Sequence, residues 1–286
     1  KAGPHTVSAT DGTVTATTGL TVTAAGAATL TVSPATATIA AGQSQAYKAE
    51  AFDPYGNDAG DYTSASTFAV SPDGTCTSGT CTATKSGSHT VSATWANASG
   101  SAALTISPGP LASLVVTPTG VDIVVGQSAA LTASGNDSYG NAVNLAASVT
   151  WSMSSGTPGT LSASSGATTT FHAAATSSGT GSIMAKSGSL SATVAVTVHP
   201  AAPTHLMATT NGRKVNMTWT SAAGDRGFAI YRQTGTGAFS LIALTQSTAY
   251  VDGNLSSGLI YQYYVVAIGA AGVPSSPSNT LSITVK

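Results

Sequence analysis

The strongest constraint on this chain is a block that it writes twice. Pro34 recurs as Pro118, Gly42-Gln43-Ser44 as Gly126-Gln127-Ser128, and Asp53-x-Tyr55-Gly56-Asn57 as Asp137-x-Tyr139-Gly140-Asn141, each pair 84 positions apart. Self-similarity at a fixed period marks a tandem array of like structural units. Apolar residues alternate with threonine and serine on both sides of the turns, which is the period of half-buried strands. The repeat therefore predicts an all-β chain of tandem sandwiches, each about 100 residues long. It says what the chain is built from and leaves open what it does.

Charge is scarce, at 7% Asp, Glu, Lys and Arg, against roughly 25% in an average soluble protein. Solubility then rests on Ser, Thr, Asn and Gly, as suits a secreted or cell-surface β-protein whose outward strand faces carry threonine. The net charge is −1 and no basic cluster exists, so attraction to nucleic acid or to anionic lipid has no source. No apolar run reaches the ~18 residues of a membrane span. Cys76 and Cys81 flank Thr-Ser-Gly-Thr. A hairpin over those four residues brings them to disulfide distance at a module edge, which implies an oxidising compartment. The alternative, a metal site, needs two more soft ligands that the sequence does not supply.

The repeat also sets the boundaries. His5-Thr-Val-Ser-Ala-Thr10 returns as His89-Thr-Val-Ser-Ala-Thr94, and Leu20-Thr21 as Leu104-Thr105. Residues 1–26 are thus expected to be the closing hairpin of a module whose first strands are missing, and the chain to be a piece of something longer. Val7, Ala9, Val14, Leu20 and Val22 of that hairpin form an apolar face that needs a cover, so partners are sought among other protein chains docking there or at edge strands. Residues 27–109 are expected to form the first full module, with Phe68 on its central strand. Residues 110–200 form the second, where Trp151 takes the place of Phe68, the cysteines are absent, and a longer Ser/Gly/Ala/Thr-rich segment (154–169) intervenes. Pro200-Ala-Ala-Pro203 is a short, stiff hinge. Residues 201–286 differ in composition: they hold all three arginines (213, 226, 232) and five of the nine tyrosines.

Catalytic motifs are missing. There is no Gly-x-Ser-x-Gly, no His-Glu-x-x-His and no phosphate loop. One glutamate and nine aspartates, most of them in turns, make a glycosidase carboxylate pair a poor fit. The five histidines are scattered, and His5 and His89 are one repeat position seen twice, read as strand-surface residues. No enzyme and no cofactor is expected. Three weaker possibilities stay open. Asp53, Asn57, Asp58 and Asp61, with Glu50 nearby, are the only oxygen-rich cluster; they fit either a calcium site or a solvated Asx turn. Tyr55, Tyr139 and Trp95 are candidate ligand-facing rings, for polysaccharide among others, or inward-facing core residues. Lys48 and Glu50 share a strand face and could belong to an internal isopeptide crosslink, for which a third residue is not evident.

Two resemblances follow from particular residues. Val32-Ser-Pro34, Gly42-Gln43-Ser44, Asp53-x-x-Gly56-Asn57 and His89-Thr-Val91-Ser-Ala-Thr94 make residues 1–199 resemble bacterial Ig-like repeats of the invasin/intimin group. The second copy departs from them by lacking the cystine hairpin and closing on Ile183-Met-Ala. Pro203-x-x-Leu206, Val215-Asn-Met-Thr-Trp219 and Leu255-x-x-Gly258-x-x-Tyr261-Gln-Tyr263-Tyr-Val265-x-Ala267 make residues 203–286 similar to a fibronectin type III domain. That resemblance implies Trp219 as the core tryptophan and Tyr261 as the residue whose hydroxyl bonds back to the chain. Both families are mostly non-catalytic spacers and binders. They imply an extracellular structural or adhesive stalk or, from a different class, an accessory spacer or carbohydrate-binding region of a secreted hydrolase.

Overall fold

In the computed structural model, which describes all 286 residues, strands and turns account for nearly the whole chain. Residues cluster into two compact units, Lys1–Ser113 with Asn136–Val143, and Leu114–Gly135 with Asn144–Lys286.

The first unit opens with a hairpin of Gly3–Asp11 and Val14–Val22, turned at Gly12, where φ is +58°. A sandwich follows. One sheet runs Thr36–Ala40, Ala98–Ser107, Gly87–Trp95, Thr67–Ser71; Thr36–Ala40 joins it parallel and the others pair antiparallel. Opposite it lie Thr29–Ser33, Lys48–Phe52 and Asp58–Asp61, with a ribbon of Ser44–Ala46, Thr80–Thr82 and Thr75–Thr77. Period-two alternation buries Leu30, Val32, Ala49, Ala51, Val91, Ala93, Leu104 and Ile106 between the sheets, closed by Tyr47 and Phe68. Each fully buried Leu, Val, Ile or Phe stabilises by about 1.5–3 kcal/mol. The many alanines contribute less, so hydrogen bonds and the disulfide matter more to this sandwich than to a leucine-rich one.

The hairpin at the N-terminus repeats the sandwich's closing hairpin rung for rung. His5 faces Leu20, Val7 faces Thr18 and Ala9 faces Ala16, just as His89 faces Leu104, Val91 faces Ala102 and Ala93 faces Gly100. What differs is cover: Val7, Val14, Leu20 and Val22 are 49%, 72%, 51% and 38% exposed, whereas Val91 and Leu104 are buried.

The second unit holds two sandwiches. In one, the sheet Gly120–Val124, Leu190–His199, Gly179–Ser187, Thr150–Met153 has the same order and the same parallel edge as its counterpart above. Trp151 stands opposite Ala185 as Phe68 stands opposite Ala93. The longer segment before Phe171 lengthens the period: the rung Gly179–Val198 corresponds to Gly87–Ile106, 92 positions on. The C-terminal sandwich packs Thr204–Asn211, Lys214–Thr220, Ala249–Asp252 against a sheet built on Gly227–Thr234 and Ile260–Ile268, with Ser240–Thr245 at one edge. Pro274–Pro277 and Leu281–Thr284 both pair with Ile260–Ile268 and act as one interrupted strand, giving seven in all. Trp219 lies edge-on to Phe228, 5.4 Å between ring centroids, in a core with Val215, Met217, Ile230, Tyr261 and Tyr263.

Candidate functional site

The residues with the most chemistry in the repeat sit in its two acidic turns, both within the first unit. Asp53 is 4% exposed. Its Oδ1 accepts the N–H groups of Tyr55 (2.9 Å) and Asn57 (2.8 Å), which closes an Asx turn. Its Oδ2 accepts the Asn57 Nδ2–H (2.8 Å) and the N–H of Ala25 (3.0 Å). Asn57 in turn accepts the N–H of Ala2 at 2.8 Å. Gly56 supplies the positive φ of +76° that the tight return requires. Asp137 repeats the pattern: Oδ1 takes the N–H groups of Tyr139 and Asn141 (both 2.9 Å), and Oδ2 takes Asn141 Nδ2–H and Gly109 N–H (both 2.8 Å). Asn141 accepts the N–H of Ser86 (2.8 Å) and donates to the Thr84 carbonyl (2.7 Å).

These donors decide the charge state. At Asp53 the Asn57 amide, helped by the N–H groups of Asn57, Ala25 and Tyr55, overcomes burial and holds the carboxyl at about 2. At Asp137 burial opposes ionisation, but Asn141 and the N–H groups of Gly109, Asn141 and Tyr139 outweigh it, again to about 2. Each carboxylate is ionised and already surrounded by four N–H donors.

The remaining members of the oxygen-rich cluster do not join them. Asp58 accepts the N–H of Gly60 at 2.7 Å, and Asp61 that of Thr63 at 2.8 Å. Glu50 stands across the ladder from Asp61, and no group of three or more His, Cys, Asp or Glu side chains converges as a metal-ligand set. Of the two readings of Asp53, Asn57, Asp58 and Asp61, the geometry here is that of Asx-type capping: their oxygens accept backbone amides, with the Asp53 carboxylate buried beneath an exposed turn. Lys48 and Glu50 both point outward from Lys48–Phe52, which leaves no enclosed site for an isopeptide crosslink.

Of the candidate rings, Tyr55 is 84% and Tyr139 53% exposed. Tyr139 lies over Gly42, where a Cβ would come within 2.6–2.7 Å of its ring carbons. Trp95 does not face outward as a free platform; it is half-buried, edge-on to Tyr62 with 4.8 Å between centroids. Phe68, Trp151, Trp219 and Tyr261 are all buried, and the Tyr261 hydroxyl accepts the Ser256 N–H at 3.0 Å.

Cys76 and Cys81 are bonded and directly opposite each other in the ladder, their Cα atoms 4.0 Å apart. The reversal is tighter than four residues: only Ser78 and Gly79 turn, both with positive φ, while Thr77 and Thr80 pair. His89 departs from the strand-surface expectation. It is 4% exposed, its Nε2 lies 2.7 Å from Asp73 Oδ1 and its Nδ1 lies 3.2 Å from the Gly87 carbonyl. The bond to His89 pulls the Asp73 carboxyl below its usual range against partial burial. His5, at the same repeat position, is exposed and bonds only the Lys1 carbonyl.

One constellation escaped the sequence reading. Asp252, 5% exposed, accepts Arg232 Nη1–H at 3.0 and 3.2 Å and the Tyr263 hydroxyl at 2.8 Å. Burial first, then Asp252, pushes the Tyr263 hydroxyl far above its ordinary range. The available signal was an arginine on an otherwise apolar strand, Phe228-Ala-Ile-Tyr-Arg232, where an unpaired charge would be costly.

No family model matches the chain. An amylopullulanase of Thermoanaerobacterium thermosulfurigenes is 32% identical over 82 residues, 28% of this chain and 4% of that protein. A poly(3-hydroxybutyrate) depolymerase of Ralstonia pickettii is 33% identical over 86 residues, 30% of this chain and 17% of that protein. The chain thus spans under a fifth of either curated relative. Among solved structures, a Fn3-like protein from Clostridium thermocellum is 31% identical, with 30% of this chain covering 94% of that one and a TM-score of 0.28. The chain is a tandem of Ig-like and fibronectin type III-like β-sandwiches. Around these sandwiches the polar side chains with the best-defined surroundings (Asp53, Asp137, His89, Asp252) hold backbone or each other.

Proposed function

We propose that these residues are a non-catalytic repeat region of an extracellular bacterial protein, with Ig-like modules of the invasin/intimin kind preceding a fibronectin type III module, and that they space or present other parts of that protein. The observation carrying this is the pair of acidic turns. The same carboxylate, amide and glycine recur 84 positions apart and make the same four N–H bonds, so this chemistry serves architecture in both places. The disulfide agrees with an oxidising compartment.

A second reading names the parent differently: an accessory region of a polymer hydrolase, where the sandwiches separate a catalytic domain from a polymer-binding one. It is favoured by the two curated relatives, one named for pullulan and the other for poly(3-hydroxybutyrate), each matched over a small fraction of its length. One measurement separates the readings, and a second tests whether the chain itself binds polymer. The coding sequence on either side of these residues holds further repeats in the stalk reading and a catalytic domain in the accessory one. Sedimentation with insoluble starch and with poly(3-hydroxybutyrate) granules leaves the 286-residue chain in the supernatant if it only spaces. Hydrolysis of either polymer by the purified chain would contradict both.

A further inference from the structure

The two acidic turns bond more than themselves, and they choose the same foreign partners. Asp53 and Asp137 each take an N–H from a residue 28 positions earlier, Ala25 and Gly109. Asn57 and Asn141 each take one from a residue 55 positions earlier, Ala2 and Ser86. These four donors have one thing in common. Ala2 and Ser86 precede the first strand of a hairpin, Gly3–Asp11 and Gly87–Trp95, while Ala25 and Gly109 follow its second strand, Val14–Val22 and Ala98–Ser107. Each turn therefore receives both open ends of the hairpin before it, one through the Asp carboxylate and one through the Asn amide.

We infer that Asp-x-Tyr-Gly-Asn is an interaction surface, a clamp whose partner is the open end of the closing hairpin of a like module. The chemistry fits that partner. The open end of a two-stranded ribbon leaves outward N–H groups without ladder partners, and a buried carboxylate beside an amide oxygen offers an acceptor to each of its two ends. A carboxylate is the stronger acceptor of the two and binds the linker. The linker donors are Ala25 and Gly109, both small residues; a Cβ on Gly109 would stand in ordinary contact, 3.4 Å from Asp137 Oδ2. In the second copy Tyr139 adds a lid over Gly42, and the Gly42 N–H bonds the Ala83 carbonyl one residue before Thr84, which Asn141 holds. The same hydrogen-bond set thus occurs twice on unlike flanking sequences, Thr-Ala-Ala-Gly in one and Ser-Pro-Gly-Pro in the other. The inference holds whichever parent protein carries the modules, because it concerns how one module takes up the next.

The test is amide hydrogen exchange followed by NMR on the full chain. In the wild type, Ser86 and Gly109 exchange slowly, like ladder amides. Asn141→Ala keeps the backbone N–H that closes the Asx turn but removes the acceptor for Ser86. It is expected to speed exchange at Ser86 by about tenfold, the loss of one net hydrogen bond, while Tyr139 stays protected. Asn57→Ala, at the other copy, leaves Ser86 unchanged. Free-amide exchange at Ser86 and Gly109 in the wild type overturns the inference without any variant. So does an Asn141→Ala chain whose Ser86 amide is as protected as before.

Discussion

Gly42 and Gly126 occupy the same repeat position with nearly the same backbone, φ of +80° and +77°, and make corresponding bonds to the Ala83 and Ala174 carbonyls. Their surroundings differ. An added Cβ at Gly42 runs into the Tyr139 ring, whereas at Gly126 nothing lies within 4 Å. Substituting each with alanine therefore separates backbone strain from a contact. At Gly126 only the left-handed conformation is penalised, about 1–2 kcal/mol. At Gly42 the same penalty applies, and Tyr139 must also leave its half-exposed seat. An aromatic side chain buries about 150–250 Å² in full, so half of that, near 100 Å², is worth up to ~2.5 kcal/mol at ~25 cal/mol/Å². Gly42→Ala is expected to cost roughly 2 kcal/mol more than Gly126→Ala. In a Tyr139→Ala background the excess should vanish, leaving the backbone part alone, since the two sites share one contact. Native-state hydrogen exchange in the full chain reads both, at Val91 in the first unit and Ile183 in the second. Equal costs at the two glycines, or an excess that survives Tyr139→Ala, would refute the assignment of Tyr139 as the lid over Gly42.

Reducing Cys76–Cys81 opens a loop of only about six residues, for which loop-closure entropy gives about 2 kcal/mol. The Ser78-Gly79 turn already holds those ends together, so circular dichroism should show the fold retained and Tm lowered by a few degrees. Asp252→Ala leaves Arg232 and the Tyr263 hydroxyl without their partner in a buried site, at a cost of roughly 3–5 kcal/mol. Tyr263→Phe should cost roughly 1.5–3 kcal/mol, and urea unfolding of the two single variants and the double variant should show strong coupling. Removing divalent cations with chelator should leave Tm unchanged, because Asp53 and Asp137 already bind N–H donors; a shift of several degrees abolished by Asp53→Ala would restore the calcium reading.

How much was legible in the sequence depended on whether a residue's partner leaves a mark there. The 84-residue identity exposed the modules because side chains repeat, and Trp151 could be set against Phe68 because each follows the motif within one residue of the same spacing. Cys76 and Cys81 are near neighbours, so their pairing followed from turn geometry. The clamp was hidden for the opposite reason. Its donors are backbone N–H groups of Ala2, Ala25, Ser86 and Gly109, and a backbone donor carries no residue signature, so Asp53 read as a solvated turn or a metal ligand. His89 misled because its repeat mate His5 sits in the same strand pattern; only Asp73, 16 residues earlier in a different turn, makes burial of the ring tolerable. The period also broke where no repeated motif marks the strands. The longer segment 154–169 shifts the second closing hairpin to a 92-residue offset, visible only once Gly179 is seen facing Val198.

The central claim is that the chain's repeated acidic groups are structural acceptors, engaged in the folded protein and not open to a ligand. Carboxyl ¹³C titration of Asp53 and Asp137 in the full chain tests it most directly. Both pKa values are lowered from the ordinary ~3.9. The stabilisation they give is therefore fully present above pH ~4 and lost as pH falls through the folded value, in the window between about 4 and about 2. Both residues should titrate together near 2, with Ala25 and Gly109 amide shifts following the same curve. Titration of either carboxyl at its ordinary value, with no response at those amides, would contradict the account.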